Sequence, residues 1–258
     1  MLKSIRSIIR ESGFRKARLL SAIRAWPSYR KDRRQFMASC GESADTFAWG
    51  SELPILTEKT ESSGGAGAYF MQDLTVARWV REDNPTRHVD VGSRIDGFIG
   101  HLAVFREVEV IDIRPAPGGI PGVRFHQMDL MGELPEEWAG SCESLSCLHT
   151  IEHFGLGRYG DPIDPDGYLK GLAQLKSMVA PGGMLYLSTP IGPQRVEFNA
   201  HRIFSPATVI SWFSDGWEIE KCAVIGDDCK VTEGEGSSLL AGATCQTGVG
   251  ILSARKTR

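Results

Sequence analysis

Several signatures are missing from this sequence, and each absence narrows the possible functions. No apolar run approaches the ~18 residues that a membrane-crossing helix needs, so no spanning helix is expected. The six cysteines, Cys40, Cys142, Cys147, Cys222, Cys229 and Cys245, form no C-x-x-C pair and no zinc-ribbon spacing. No secretory signal stands ahead of them, which points to reduced thiols in a cytoplasmic protein. There is no G-K-S/T, which argues against a P-loop, and no complete G-x-G-x-x-G, which argues against a nicotinamide site.

What is present is a lopsided charge. Residues 1–36 hold eleven Lys/Arg against Glu11 and Asp32, a net of +9, so the rest of the chain carries −12 of the total −3. Leu2, Ile5, Ile8, Ile9, Leu19, Leu20, Ile23 and Trp26 fall between these charges at roughly helical spacing. The segment reads as a basic amphipathic helical arm that could lie on an anionic membrane surface, placing the protein peripherally at the inner membrane face. A solvated helix and a mitochondrial transit segment are the competing readings. No nucleic-acid partner is expected, because the acidic body would repel phosphates.

Residues 37–69 read as a connector, with ESSGGAG at 61–67 its loosest stretch, and 70–258 as one domain. There, helical patterns at 70–82, 95–106, 167–179 and 205–214 alternate with strand patterns at 87–91, 107–113, 122–126, 143–149, 184–190, 217–226 and 248–256. This predicts a Rossmann-like doubly wound α/β sheet of about seven strands. The last two strands lack a convincing helix between them, so they should form an antiparallel hairpin at one sheet edge.

In such a sheet the ligand lies outside the carboxyl ends of the strands. Strand one ends in Asp90-Val-Gly92-Ser93-Arg-Ile-Asp-Gly97, strand two in Asp112 and strand three near Asp129. A glycine after strand one lets the backbone approach a ligand, and an acid about 20 positions on can accept both hydroxyls of a ribose. A cofactor with ribose and adenine but no phosphate fits, and S-adenosylmethionine is one. The plainer reading is a turn glycine and a helix-capping Asp129.

The order of these features resembles the class I S-adenosylmethionine-dependent methyltransferases, over roughly residues 70–256. VDVGSRIDGF is similar to their glycine-rich motif, VIDI to their acidic second, FHQMDL to their third, and GVGILSARK to their reversed last strand. The resemblance implies cofactor contacts from Asp90, Gly92, Ser93, Gly97, Asp112, Ile113, Asp129 and Leu130. Ser93, Arg94 and Asp96 depart from the small residues usual in that motif. DVGSRIDGF, LHTIEHFGLGRYGDPIDP and FNAHRIFSP resemble, more closely, an uncharacterised bacterial family, domain of unknown function 268. That resemblance implies O-methylation of a sugar or glycan precursor in surface-polysaccharide biosynthesis. A non-catalytic accessory protein of the same fold, binding a nucleotide or sugar, is the alternative.

His149-Thr-Ile-Glu152-His153 matches the H-x-x-E-H of inverted zinc peptidases, but it follows a strand pattern and Phe154-Gly-Leu-Gly stops any helix. Two readings remain beside a purely structural one. His149 or His153 could be the base that deprotonates a hydroxyl acceptor, with Glu152 orienting an imidazole. Alternatively His149, Glu152, His153 and the later His201 could hold a divalent metal, similar to a ligand cluster in small-RNA ribose methyltransferases of this superfamily. Tyr159, Asn199, His201 and Arg202 are expected to line the acceptor pocket. Asp161, Asp164 and Asp166 give the loop after strand four an acidic character that suits a hydroxyl-rich ligand and disfavours a polyanion, unless they serve as turn residues.

Overall fold

The computed structural model describes residues 16–39, 52–56, 67–116 and 118–257. It divides into two compact units, Met1–Gly65 and Ala66–Arg258. In the first, helix α1 (Lys16–Ser39) buries none of its side chains and leaves Leu19, Leu20, Ile23 and Trp26 exposed. Arg33 and Tyr29 from this helix both donate to Glu52. The helix runs three residues past the expected end of the arm, while the expected helical positions before Lys16 lie outside the described residues.

The second unit is built on one mixed sheet of eight strands. In chain order its elements are α2 (Ala68–Asp83), β1 (Val89–Val91), a π-helical turn (Ile95–Ile99), α3 (Gly100–Ala103), β2 (Val108–Asp112), β3 (Val123–Gln127) and β4 (Cys142–Leu148). Then follow α4 (Gly167–Met178), β5 (Val179–Ile191), a small hairpin of β6 (Arg195–Glu197) and β7 (His201–Ile203), α5 (Pro206–Ser211), β8 (Trp217–Ile225), β9 (Val231–Glu235), α6 (Ser238–Ala241) and β10 (Gly248–Lys256). The sheet order is β3-β2-β1-β4-β5-β10-β8-β9. The strands from β3 to β5 are parallel, and β10 runs antiparallel to both β5 and β8. Helix α2 and the π-helical turn pack Val76, Trp79, Val80 and Phe98 into one core cluster. Leu172, Leu175 and Met178 of α4, with Val209 and Leu240, pack into the other. This sandwiching buries β1, β4 and most of β5 on both faces, polar residues such as Asp90, Ser144, Ser146 and Ser188 included.

Three expectations are corrected. The last two expected strands, β8 and β10, do pair antiparallel, but not at the edge: β10 inserts between β5 and β8, and the edge strand is β9. The helix expected over 95–106 is a π-helical turn and a short α3, broken by Gly97 at φ −124°, ψ −112°. The β6–β7 hairpin, absent from the sequence reading, sits between β5 and α5.

Candidate functional site

The carboxyl ends of β1, β2 and β4 open on a crevice of about 830 Å³. That volume is within the ~300–1,000 Å³ usual for a cofactor or substrate cleft. Its walls include Gly92, Ser93, Asp112, Ile113, Asp129, Leu130, His149, His153 and Tyr159.

At the β1 end, Gly92 turns the chain at φ +72°, where a Cβ would meet Thr150 Cγ2 at 2.3 Å. Only glycine leaves this floor open, since the αL conformation and the close approach both exclude a side chain. Asp90 lies beneath that floor and is fully buried. It accepts from the Ser93 amide at 3.0 Å, the Ser93 hydroxyl at 2.8 Å and the Ser146 hydroxyl. Burial pushes its carboxyl up to about 6, although these hydrogen bonds oppose the shift. Asp90 thus shapes the turn without lining the crevice. Gly97 does not line it either; a Cβ there would meet Asp73 Oδ2 at 2.6 Å. At the end of β2, Arg114 is bidentate on Asp112, from Nε at 3.1 Å and Nη2 at 2.9 Å. The guanidinium also lies 4.4 Å from the Tyr159 ring centre.

The other end is organised around two imidazoles. His149 closes β4 in the αL region, at φ +50°. A non-glycine residue held there is backbone strain of the kind that collects at functional sites. Its Nδ1 lies 2.6 Å from Gln72 Oε1, which can only accept, so Nδ1 carries the proton and Nε2 keeps its lone pair. Gln72 is fixed in turn by the Ser188 hydroxyl, which donates at 2.6 Å, and by its own donation to Asp73 at 3.0 Å. Burial pushes His149 down to about 3, so the ring is neutral near pH 7. His153 donates from Nδ1 to the Ala200 carbonyl at 2.7 Å and is pushed down to about 4, first by burial and then by Arg158.

Glu152 plays neither part expected of it. It is fully buried, neither carboxyl oxygen has a hydrogen-bond partner among the described residues, and Oε1 stands 3.8 Å from His153 Nε2. Burial pushes it up to about 8, so it holds a proton at neutral pH. The residue that orients an imidazole is Gln72, on α2. A metal does not fit the four residues proposed for it. His153 and His201 lie 6.4 Å apart by ring centre, and His201 Nε2 faces Glu197 at 3.4 Å. Among the described residues no group of three His, Cys, Asp or Glu side chains is placed to hold an ion.

The remaining acceptor residues are corrected by the hairpin. Asn199 is exposed, and neither it nor His201 lines the crevice. Arg202 is buried and donates to the carbonyls of Phe154 at 2.6 Å, Pro165 at 3.1 Å and Glu152 at 3.3 Å. It fastens the loop after β4 from behind. The acids of that loop serve the loop itself: Asp161 accepts from the amides of Gly155, Gly157 and Tyr159, and Asp164 pairs with Lys170. Tyr69, Gln72 and Arg158 line the crevice and were not singled out from the sequence.

A sheet whose antiparallel strand is inserted beside five parallel ones, with a glycine turn and an acid at the first two strand ends, is the class I S-adenosylmethionine-dependent methyltransferase fold. The profile of a family described as "Caenorhabditis protein of unknown function, DUF268" matches residues 124–222. No curated protein matches significantly. Among solved structures, the 4+2 cyclase SpnF aligns with a TM-score of 0.51 at 16% identity, over 76% of this chain and 85% of that one. The Burkholderia thailandensis 1,6-didemethyltoxoflavin N1-methyltransferase, solved with S-adenosylhomocysteine, aligns at 0.48 and 15% identity, over 73% and 80%. The N-methyltransferase NodS from Bradyrhizobium japonicum, also solved with S-adenosylhomocysteine, aligns at 0.48 and 12%, over 74% and 89%. Identities this low speak to the fold alone.

Proposed function

We propose that the chain is an S-adenosylmethionine-dependent methyltransferase acting on an oxygen of a sugar or glycan precursor. The observation that carries this reading is one crevice joining two ends of different chemistry. Gly92, Asp112 and Asp129 offer a floor and carboxylates to a nucleoside, and His149 stands at the other end with its tautomer fixed by Gln72, which leaves the Nε2 lone pair free. When bound, S-adenosylmethionine supplies an electrophilic methyl on a sulfonium. His149 Nε2 would accept the proton that the acceptor hydroxyl gives up during transfer. The rings of Tyr69 and Tyr159, each edge-on to an imidazole, would flank the acceptor. Surface polysaccharide, reached through contact of the basic α1 with a membrane, is the setting we propose.

The pairing of Arg114 with Asp112 favours a second reading, a non-catalytic accessory protein, because it occupies the carboxylate that a ribose would use. Calorimetric titration with S-adenosylhomocysteine separates the two. Micromolar binding that weakens about tenfold or more in Asp112→Ala, with the melting temperature unchanged, is expected of the enzyme, as loss of charge-assisted hydrogen bonds predicts. No heat at high micromolar ligand would overturn it.

A further inference from the structure

Of the three arginines that line the crevice, two are paired with a carboxylate. Arg94 is bidentate on Asp96 and Arg114 on Asp112. Asp161 is turned to three amides of its own loop, and Asp129 to the Met131 amide. Arg158 lines the same crevice, yet no carboxylate among the described residues lies within ion-pair distance of it. Its Nη1 donates to the Ala200 carbonyl at 2.8 Å, the carbonyl that also receives His153 Nδ1. The guanidinium carbon stands 5.2 Å from the Tyr159 ring centre. The side chain is therefore held beside the imidazoles with only one of its five N–H groups committed to the protein.

We propose that Arg158 is a specificity residue that receives an anionic group of the acceptor, a carboxylate or a phosphate borne by the sugar whose hydroxyl is methylated. This deepens the methyl-transfer reading and rests on it for the identity of the acceptor. The planar guanidinium fork matches either anion in two-point geometry. The groups around it are two neutral imidazoles, two tyrosines and a backbone carbonyl, while the nearby charges of Arg114 and Asp161 are already engaged by Asp112 and by loop amides. A neutral sugar would leave the free guanidinium without a counter-charge. A polyanion would find no second unpaired cation among these crevice residues. One negative charge per acceptor is the complement of this surface.

The test is calorimetric titration of the full chain, saturated with S-adenosylhomocysteine, with glucose, glucuronic acid and glucose 6-phosphate as probes. One of the two anionic sugars should bind about tenfold or more tighter than glucose, as a charge-assisted hydrogen bond to an ion predicts. Which one it is separates carboxylate from phosphate. Arg158→Gln should abolish the preference and Arg158→Lys should keep part of it, with S-adenosylhomocysteine affinity unchanged in both. Equal affinities in the wild type, no binding of any probe, a preference that survives Arg158→Gln, or loss of S-adenosylhomocysteine binding in that variant would each overturn the assignment. The titrations are repeated without S-adenosylhomocysteine. A wild type that ignores the cofactor product yet prefers the anionic sugar would sink methyl transfer and leave the anion subsite standing.

Discussion

Glu152 and the two imidazoles beside it titrate in opposite senses, and this gives the protein a pH signature. Burial raises Glu152 from 4.5 to about 8 and lowers His149 from 6.5 to about 3. Between pH ~4.5 and ~8 the folded chain keeps a proton on Glu152 that the unfolded chain has released, so stability falls as pH rises through this window. Below pH ~6.5 the unfolded chain protonates histidines that the folded chain holds neutral, so stability falls again as pH drops toward 3. Glu152→Gln removes the first slope above pH ~6, where Asp90, pushed up to about 6, no longer contributes, and leaves the second. The variant should melt several degrees above wild type at pH 9, with the gap closing toward pH 5, since a shift of one pKa unit is worth about 1.4 kcal/mol. Parallel melting curves from pH 5 to 9 would show that Glu152 has found a partner for its charge. At this scale the sequence showed types better than roles. The H-x-x-E-H spacing exposed His149, Glu152 and His153, but the partner of His149 is Gln72, 77 residues earlier on a helix face that looks like any other. Arg158 was equally silent, because its significance lies in a missing carboxylate, which spacing does not encode.

The element that shapes the acceptor end is the loop after β4, and it is tied down from outside the crevice. Arg202, on β7, bridges three carbonyls spread between Glu152 and Pro165 and lies 4.9 Å from the Tyr168 ring centre. Gly155 is pressed against the Asp164 carbonyl, with room for no Cβ, so the loop folds back on itself just where Arg202 grips it. Arg202→Met should cost about 2 kcal/mol, because carbonyls left unpaired in a buried site lose more than one ordinary hydrogen bond. Hydrogen exchange should rise at Phe154 to Gly167, while S-adenosylhomocysteine affinity changes less than about threefold. A large loss of cofactor affinity with unchanged exchange would instead place Arg202 in the cofactor site. The same elements explain what the sequence showed of the fold. Strands β1, β2, β4, β5, β8 and β10 are legible because one or both faces are buried, which places apolar residues at alternate or successive positions. Strand β9, VTEGE, and the hairpin strands RVE and HRI carry little such signal. They are edge or surface strands whose existence depends on a partner already in place, as β8 is for β9.

At the scale of the whole molecule the dominant feature is the separation of charge, +9 on residues 1–36 against −12 on the rest. Helix α1 places Lys16, Arg18, Arg24, Arg30, Lys31, Arg33 and Arg34 on one element with a single acid, Asp32, and exposes Leu19, Leu20, Ile23 and Trp26 near its start. Basic residues near an anionic surface contribute about 1 kcal/mol each, and apolar side chains inserted among headgroups add to that, so the two kinds of residue act together. Pro27 falls after the apolar group and before the densest run of arginines, so at a membrane it would divide insertion from electrostatic attraction along the helix. The full chain should therefore sediment with vesicles containing anionic lipid and remain in the supernatant with zwitterionic ones. Raising salt from 0.1 to 0.5 M should weaken the binding strongly, because the Debye length falls from about 10 Å to roughly half that. Ile23→Asp with Trp26→Asp should weaken it by about tenfold or more even at low salt. Equal sedimentation of wild type and double variant would mean that the charges alone hold the chain at the surface. Equal sedimentation with zwitterionic and anionic vesicles would end the membrane assignment of α1.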